Sequence, residues 1–302
     1  MTPILIHEVG ARDGLQVEPK VVPMELKLDW IRRVADSGVD IVQVGSFVRG
    51  DKVPQMADTD ELFRVLGGES HRAVFSGLVL NEKGLERAVD VGVGLLCMGV
   101  SASNTHSLRN TGMSTEDATR RIVAMAAEAQ KAGRRVQVSI QSAFGCGFEG
   151  AIPFERVRAI AEAYLEAGLH SISLADTAGH SHPSQVRRYV RCLRELDPFV
   201  EITAHIHNTY GLGMASVYAA LDGGATAVET SFGGLGGCPF TKVAAGNVAT
   251  EDLVHGLQRN GLRAEIDLGA LIGVAQEVAA FFGRELPGCV YKTGPITEKG
   301  QP

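Results

Sequence analysis

Short runs rich in Val, Ile and Leu alternate along the chain with longer stretches in which apolar residues recur at helical spacing. The short runs predict strands at 4–9 ("ILIHEV"), 39–45, 73–79, 95–100, 135–141, 170–176, 200–207 and 226–232. The longer stretches predict helices at 24–37, 57–66, 82–91, 114–132, 153–168, 183–197, 211–223 and 247–260. Boundary residues agree with this partition. Ser114 is placed to cap a helix with acidic residues in its first turn, Pro183 falls in a first turn, and Gly38, Gly92, Gly133 and Gly168 recur just before the next strand.

Eight strand–helix pairs in about 250 residues have the count and size of a (β/α)8 TIM barrel. The competing architecture is a doubly wound open sheet. A dinucleotide fold fits poorly, because the G-x-G at Gly92 and Gly94 precedes a strand instead of following one. The expected organisation is a catalytic barrel over 1–260 and a helical extension over 261–302 packed on the same domain.

Composition narrows the function. A formal net charge of −6 and the lack of any Lys/Arg run argue against a nucleic-acid surface, so an anionic ligand must be met by local basic residues or a metal. The five cysteines are widely spaced with no C-x-x-C pair, which fits reduced thiols and not a disulfide framework. No apolar run approaches membrane-spanning length and no signal-type segment precedes the first strand, so the expected location is cytoplasmic.

In such a barrel the site forms at the C-terminal ends of the strands. Strand one ends in "HEVGARDGLQ", which supplies Glu8, Arg12, Asp13 and Gln16. Strand two carries Gln43, strand five ends at Gln141, strand six ends at Asp176, and strand seven ends with His205 and His207. Strand side chains alternate faces, so the two imidazoles of His205-Ile206-His207 point the same way. With Asp13 as carboxylate and the amide oxygen of Asn247 as a fourth donor, they can chelate a divalent cation. The thiolate-free N/O set suits Mg2+ or Mn2+, while imidazoles also suit Zn2+. Several residues have a structural alternative: Glu8 as a buried partner for Arg12, His180 and His182 as loop and capping groups, and Cys97 and Cys192 as core thiols. The stretch "SFGGLGGCPF" (231–240) has four glycines around one thiol, Cys238, and reads either as a connector with a buried cysteine or as a flap that carries a reactive group.

Taken together, "HEVGARDGLQ", "GSFVRGDKVPQM", "SLADTAGH", "HIHNTYG", "GLGGCPF" and "AGNVATEDL" resemble the hydroxymethylglutaryl-CoA lyase family of metal-dependent barrels, in order and over nearly the whole chain. The resemblance implies a divalent cation held by Asp13, His205, His207 and Asn247. It places Arg12 beside the acyl carbonyl, Cys238 as proton carrier on a flap, and Glu251 as support near the metal shell. It implies retro-Claisen cleavage of 3-hydroxy-3-methylglutaryl-CoA, or a related 3-hydroxyacyl-CoA, to acetyl-CoA and a keto acid such as acetoacetate. The cation supplies Lewis acidity, Arg12 faces the developing enolate, and either His205 or Asp13 is the base. It also implies an acyl-CoA as partner and a homodimer or higher homo-oligomer.

Three departures lie at the expected barrel mouth. Gln43 stands where the family usually has glutamate, Asn104 follows Ser103 where the family reads Ser-Glu, and "HSH" after Asp176 is not the family's usual loop. Changes confined to the mouth point to a shifted acyl specificity with the lyase chemistry kept. The alternatives are a 2-oxo-acid aldolase, a Claisen-type synthase, or a catalytically silent acyl-CoA-binding barrel. Arg49 and Lys52 serve either as contacts to the CoA phosphates or as solvated surface charge.

Overall fold

A computed structural model describes residues 4–237 and 246–296. Eight parallel strands close on themselves in sequential order. They are β1 (Leu5–Glu8), β2 (Ile41–Ser46), β3 (Val74–Leu78), β4 (Leu95–Ser101), β5 (Arg135–Gln141), β6 (Ser171–Asp176), β7 (Glu201–Ile206) and β8 (Ala227–Thr230). The ring is sealed by β1 against β8, with Leu5 opposite Ala227 and Glu8 opposite Thr230. The expected (β/α)8 barrel is therefore the observed one, with each strand starting within two residues of its predicted position.

The outer ring consists of α1 (Met24–Asp36), α2 (Thr59–Gly67), α3 (Glu82–Asp90), α5 (Thr115–Lys131), α6 (Phe154–Glu166), α7 (Pro183–Leu196), α8 (Gly213–Gly223) and α9 (Thr250–Arg259). Their ends obey the signals read from sequence. Ser114 Oγ accepts the Asp117 amide (3.1 Å) at the start of α5, and α7 begins at Pro183. The four recurrent glycines before strands all adopt positive φ, as helix-terminating residues do.

One helix was not expected. Helix α4 (Asn104–Thr111) follows β4 and lies across the barrel mouth, capped by Ser103 and ended by Gly112 in the left-handed region. Its sequence, "NTHSLRNT", lacks an apolar stripe, so periodicity does not reveal it. Beyond the barrel, α10 (Leu268–Phe282) and the short α11 (Val290–Thr293) occupy the predicted extension. The buried face of α10 (Leu271, Ile272, Val274, Ala275, Val278) packs against α1 and α9. Trp30 of α1 is buried edge-on between Phe232, just after β8, and Phe281 of α10. Truncating an aromatic so placed costs about 3–5 kcal/mol. This packing fixes the chain leaving β8, on which part of the site depends. Among the described residues no helix is long and apolar enough to cross a membrane.

Candidate active site

The barrel mouth encloses a cavity of about 220 Å3 lined from nearly every strand, including Gln43, Cys97, Gln141, Ser173, His205 and Glu229. Arg12, Asp13 and Gln16 enter it from the turn after β1. Residues Gly10–Gly14 wind one widened helical turn in which the amides of Arg12, Asp13 and Gly14 converge on the Val9 carbonyl (3.1, 2.7 and 3.3 Å). Such turns cluster at functional sites because they re-aim consecutive side chains. Gly10 is required here, since a Cβ would lie 2.6 Å from Glu8 Oε1 and 2.7 Å from the Phe232 ring.

His205 and His207 face the cavity together, as strand alternation requires, with their Nε2 atoms 3.0 Å apart. Asp13 joins them, its Oδ2 3.7 Å from His207 Nε2. One ligand atom from each of these three residues falls within 4.8 Å of the others. Asn247 is delivered by backbone pairing: the Val248 amide donates to the Ile206 carbonyl (3.2 Å), and His207 and Asn247 form an antiparallel bridge. Asn247 Nδ2 donates to Asp13 Oδ2 (2.7 Å) and the Leu235 carbonyl (3.1 Å), while its Oδ1 is buried without a hydrogen-bond partner. Two facing imidazole nitrogens and a carboxylate make a mixed N/O donor set that fits a divalent cation. Asn247 turns its Nδ2 toward Asp13, and its orphaned Oδ1 would join the set only after the amide flips.

Arg12 spans the site, donating through Nε to Gln43 Oε1 and through a terminal nitrogen to Asp13 Oδ1. Burial would raise the Asp13 pKa, but the Arg12 guanidinium and the two histidines hold it well below the ordinary carboxylate value. Glu229 follows the same pattern: against the desolvation that would raise it, its hydrogen bond from His205 holds its pKa at about 2. Burial, helped by the charges of Arg12 and His205 and opposed by Glu229, pushes His7 down to about 4, so that imidazole is neutral.

Asp13, His205, His207, Asn247, Arg12, Gln16 and Gln43 thus come together. Asn247 bonds Asp13 without itself lining the cavity, and three other candidates do not line it either. Asp176 caps the loop after β6, accepting the amides of His180 (2.8 Å) and Ser181 (2.9 Å). Glu8 is not a partner for Arg12. It accepts the amides of Gly10 (2.6 Å) and Phe232 (3.1 Å) and the hydroxyl of Thr250. Glu251 accepts the Gly233 amide (3.1 Å) and so supports the chain after β8 that carries the neighbours of Asn247. Asn104 also faces away, bonding the Thr115 amide (3.0 Å), while His106 and Asn110 of α4 line the cavity in its place. Cys97 is a core thiol, packed with Ile41 and Leu95, that also lines the cavity, with its thiol pKa pushed by burial to about 12.

Cys238 lies outside the described residues. The glycines before it have reasons of their own. Gly236 has φ +119°, and a Cβ there would lie 2.6 Å from Asn247 Nδ2, so this glycine makes room for the donor set. Glycine density in this stretch is therefore no argument by itself for a flap. The residues that sequence reasoning missed are Glu229 and His7, inward-facing strand positions that read as ordinary sheet, and the α4 pair His106 and Asn110.

A closed parallel barrel with these groups at its C-terminal mouth is an α/β-barrel enzyme whose mouth offers donors for a divalent cation. The HMGL-like family model matches residues 3–278. The chain is 37% identical over 305 residues to (R)-citramalyl-CoA lyase of Chloroflexus aurantiacus, covering 98% of this chain and 96% of that one. It is 34% identical over 284 residues to a hydroxymethylglutaryl-CoA lyase of Bacillus subtilis, covering 94% and 95%. Among solved structures it superposes with TM-score 0.91 and 37% identity on an HMG-CoA lyase of Acinetobacter baumannii in complex with coenzyme A and 3-methylmalate, covering 98% and 96%. The chain belongs to the hydroxymethylglutaryl-CoA lyase family, and it is a carbon–carbon lyase.

Proposed function

We propose that the protein is a divalent-metal-dependent acyl-CoA lyase that cleaves a 3-hydroxyacyl thioester bearing a free carboxylate, releasing acetyl-CoA and a keto acid. The observation that carries this reading is the convergence of Asp13, His205 and His207 beside Arg12 in one cavity. A divalent cation held by Asp13, His205, His207 and Asn247 would act as a Lewis acid toward substrate oxygens. The chain's own residues do the rest. A base at the donor cluster, His205 or Asp13, takes the proton of the tertiary alcohol. The C2–C3 electron pair passes to C2 and the thioester oxygen, where the Arg12 guanidinium stabilises the growing negative charge. Cys238 then returns a proton to C2, completing acetyl-CoA. Oligomerisation through the outer helices and a cytoplasmic location belong to the same reading, as does a single domain comprising the barrel over 1–260 and the extension over 261–302.

Hydroxymethylglutaryl-CoA, yielding acetoacetate, is the substrate that the shared motifs favour. A citramalyl thioester, with its carboxylate on the tertiary carbinol carbon itself, is favoured by Gln43 and by the two 37% matches, one named for citramalyl-CoA and one holding 3-methylmalate, a hydroxy diacid that also bears a carboxylate on its carbinol carbon. With neutral imidazoles, Arg12 is opposed by Asp13 and Glu229, so a bound dication leaves the site one net positive charge. A glutamate at position 43 would cancel it. Gln43 accepts the Arg12 hydrogen bond without doing so, which suits an acyl group whose carboxylate sits at the reacting carbon.

The test supplies Mn2+-loaded protein with each thioester and follows acetyl-CoA together with acetoacetate or pyruvate, with a chelated control and Cys238→Ser alongside. Metal-dependent release of acetyl-CoA, lost in the variant, is expected. A folded, metal-loaded protein that releases acetyl-CoA from neither thioester would overturn the reading in favour of aldol chemistry on a free oxo acid.

A further inference from the structure

Glu229 sits in register between two histidines of the barrel interior, opposite His205 on β7 and His7 on β1. In-register neighbours on parallel strands project to the same side, so the three side chains form one buried layer beneath the cavity mouth. Glu229 Oε2 lies 2.6 Å from His205 Nδ1, and Oε1 lies 3.6 Å from His7 Nδ1. The first is a short charge-assisted hydrogen bond; the second is too long for one and is an electrostatic contact. On its other edge, His7 Nε2 meets Ser76 Oγ at 2.9 Å.

An ionised carboxylate can only accept, so the proton in the short bond resides on His205 Nδ1. Against the burial that disfavours it, Glu229 and Asp13 favour the protonated ring, so His205 carries both protons until it titrates. In the neutral ring the bond to Glu229 keeps the proton on Nδ1 and leaves Nε2 as the lone pair, and Nε2 is the atom that faces His207 and the cavity. A buried carboxylate costs several kcal/mol unless it is paired, so a neutral residue would serve packing better at this position. We infer that Glu229 is a positioning residue that fixes the Nδ1–H tautomer of His205 and thereby aims its Nε2 lone pair into the donor cluster. The inference rests on the cation-site reading above but concerns a residue outside the donor set. His7, bonded to Ser76 on its other edge, packs against the far carboxylate oxygen without a hydrogen bond to it.

The test has a metal-free arm and a metal arm. In the first, two-bond 1H–15N spectra of 15N-histidine-labelled protein report the His205 tautomer without any cation. At a pH at which His205 is neutral, wild type should show the Nδ1–H form alone, and Glu229→Gln a mixture of tautomers. Glu229→Asp should return mostly to Nδ1–H, and it also serves if the amide variant does not fold. In the second, calorimetric titration with Mn2+ should show affinity weakened about 10–100-fold in Glu229→Gln and partly recovered in Glu229→Asp. A folded Glu229→Gln protein with an unchanged tautomer and Mn2+ affinity within about twofold of wild type would overturn the inference. Wild-type protein that shows the Nδ1–H tautomer but binds no Mn2+ would instead overturn the cation-site reading, and the tautomer arm would still decide the role of Glu229.

Discussion

Glu251 is fully buried, and one of its carboxylate oxygens, Oε1, has no hydrogen-bond partner. Desolvation raises its pKa from 4.5 to about 8, with the negative charges of Asp252 and Glu8 adding to the shift. A carboxyl whose folded pKa lies above its unfolded value binds more protons folded than unfolded between the two values. Its contribution to stability is therefore whole below about pH 4.5 and is lost as the pH rises through 8. With 1.36 kcal/mol per unit, integration between about pH 5 and about pH 8 gives a loss of about 3–4 kcal/mol from this group alone. Glutamine at 251 copies the neutral acid in shape and cannot ionise. The difference in unfolding free energy between Glu251→Gln and wild type should therefore grow by about 3–4 kcal/mol across that window, in favour of the variant. Equilibrium urea unfolding of both proteins at several pH values reads it directly. On a thermal scan the same difference is about 5–6 °C for a chain of this length. Parallel stability curves for the two proteins would show that the folded Glu251 ionises like an exposed carboxylate, and the reasoning would fail.

Further perturbations address the site itself. Gln43→Glu places a second carboxylate on Arg12, and kcat/KM should shift at least about tenfold toward hydroxymethylglutaryl-CoA over citramalyl-CoA, since a desolvated charge next to a reacting carboxylate is worth a few kcal/mol. An unchanged ratio of the two kcat/KM values would remove Gln43 as a specificity determinant. Asp13→Ala removes the one carboxylate of the donor cluster and should abolish stoichiometric Mn2+ binding by calorimetry, with turnover lowered at least about 1000-fold. Gly236→Ala forces a Cβ into a left-handed residue beside Asn247. It should cost about 1–3 kcal/mol in urea unfolding and reduce turnover, where a freely adjusting segment would tolerate alanine in both assays.

Alternation of apolar and polar residues was sufficient for the barrel, because its buried parallel strands are short apolar runs and its helices keep a stripe toward them. It was insufficient for α4, whose polar face lies across the mouth and which is marked only by its caps, Ser103 and Gly112. Side-chain chemistry was legible where two residues share a strand face, as His205 and His207 do. It left the roles of Glu8, Asp176 and Glu251 open between substrate contact and support, since an acid at a strand end or helix start looks the same in sequence whether it faces a substrate or accepts backbone amides. Glu229 and His7 were invisible for the converse reason: their meaning comes from register across β1, β8 and β7, which no local pattern contains.

These supporting acids explain how donors from distant parts of the chain stay in one place. Glu8, with its pKa raised to about 7 by burial against three hydrogen bonds, ties the turn carrying Arg12 and Asp13 to Phe232 and to Thr250 at the start of α9. Glu251, one residue beyond Thr250, ties the same helix start to Gly233. Between those ties run Gly236 and Asn247, in contact with Asp13. The turn after β1, the chain after β8 and the entry to α9 are thus fastened into a single body by two carboxyls that touch no donor atom. Ionising both would set two buried like charges against each other within that body. Loss of donor geometry at alkaline pH should therefore follow the titration of Glu8 and Glu251, and Glu251→Gln should extend Mn2+ binding to higher pH while leaving every proposed ligand in place.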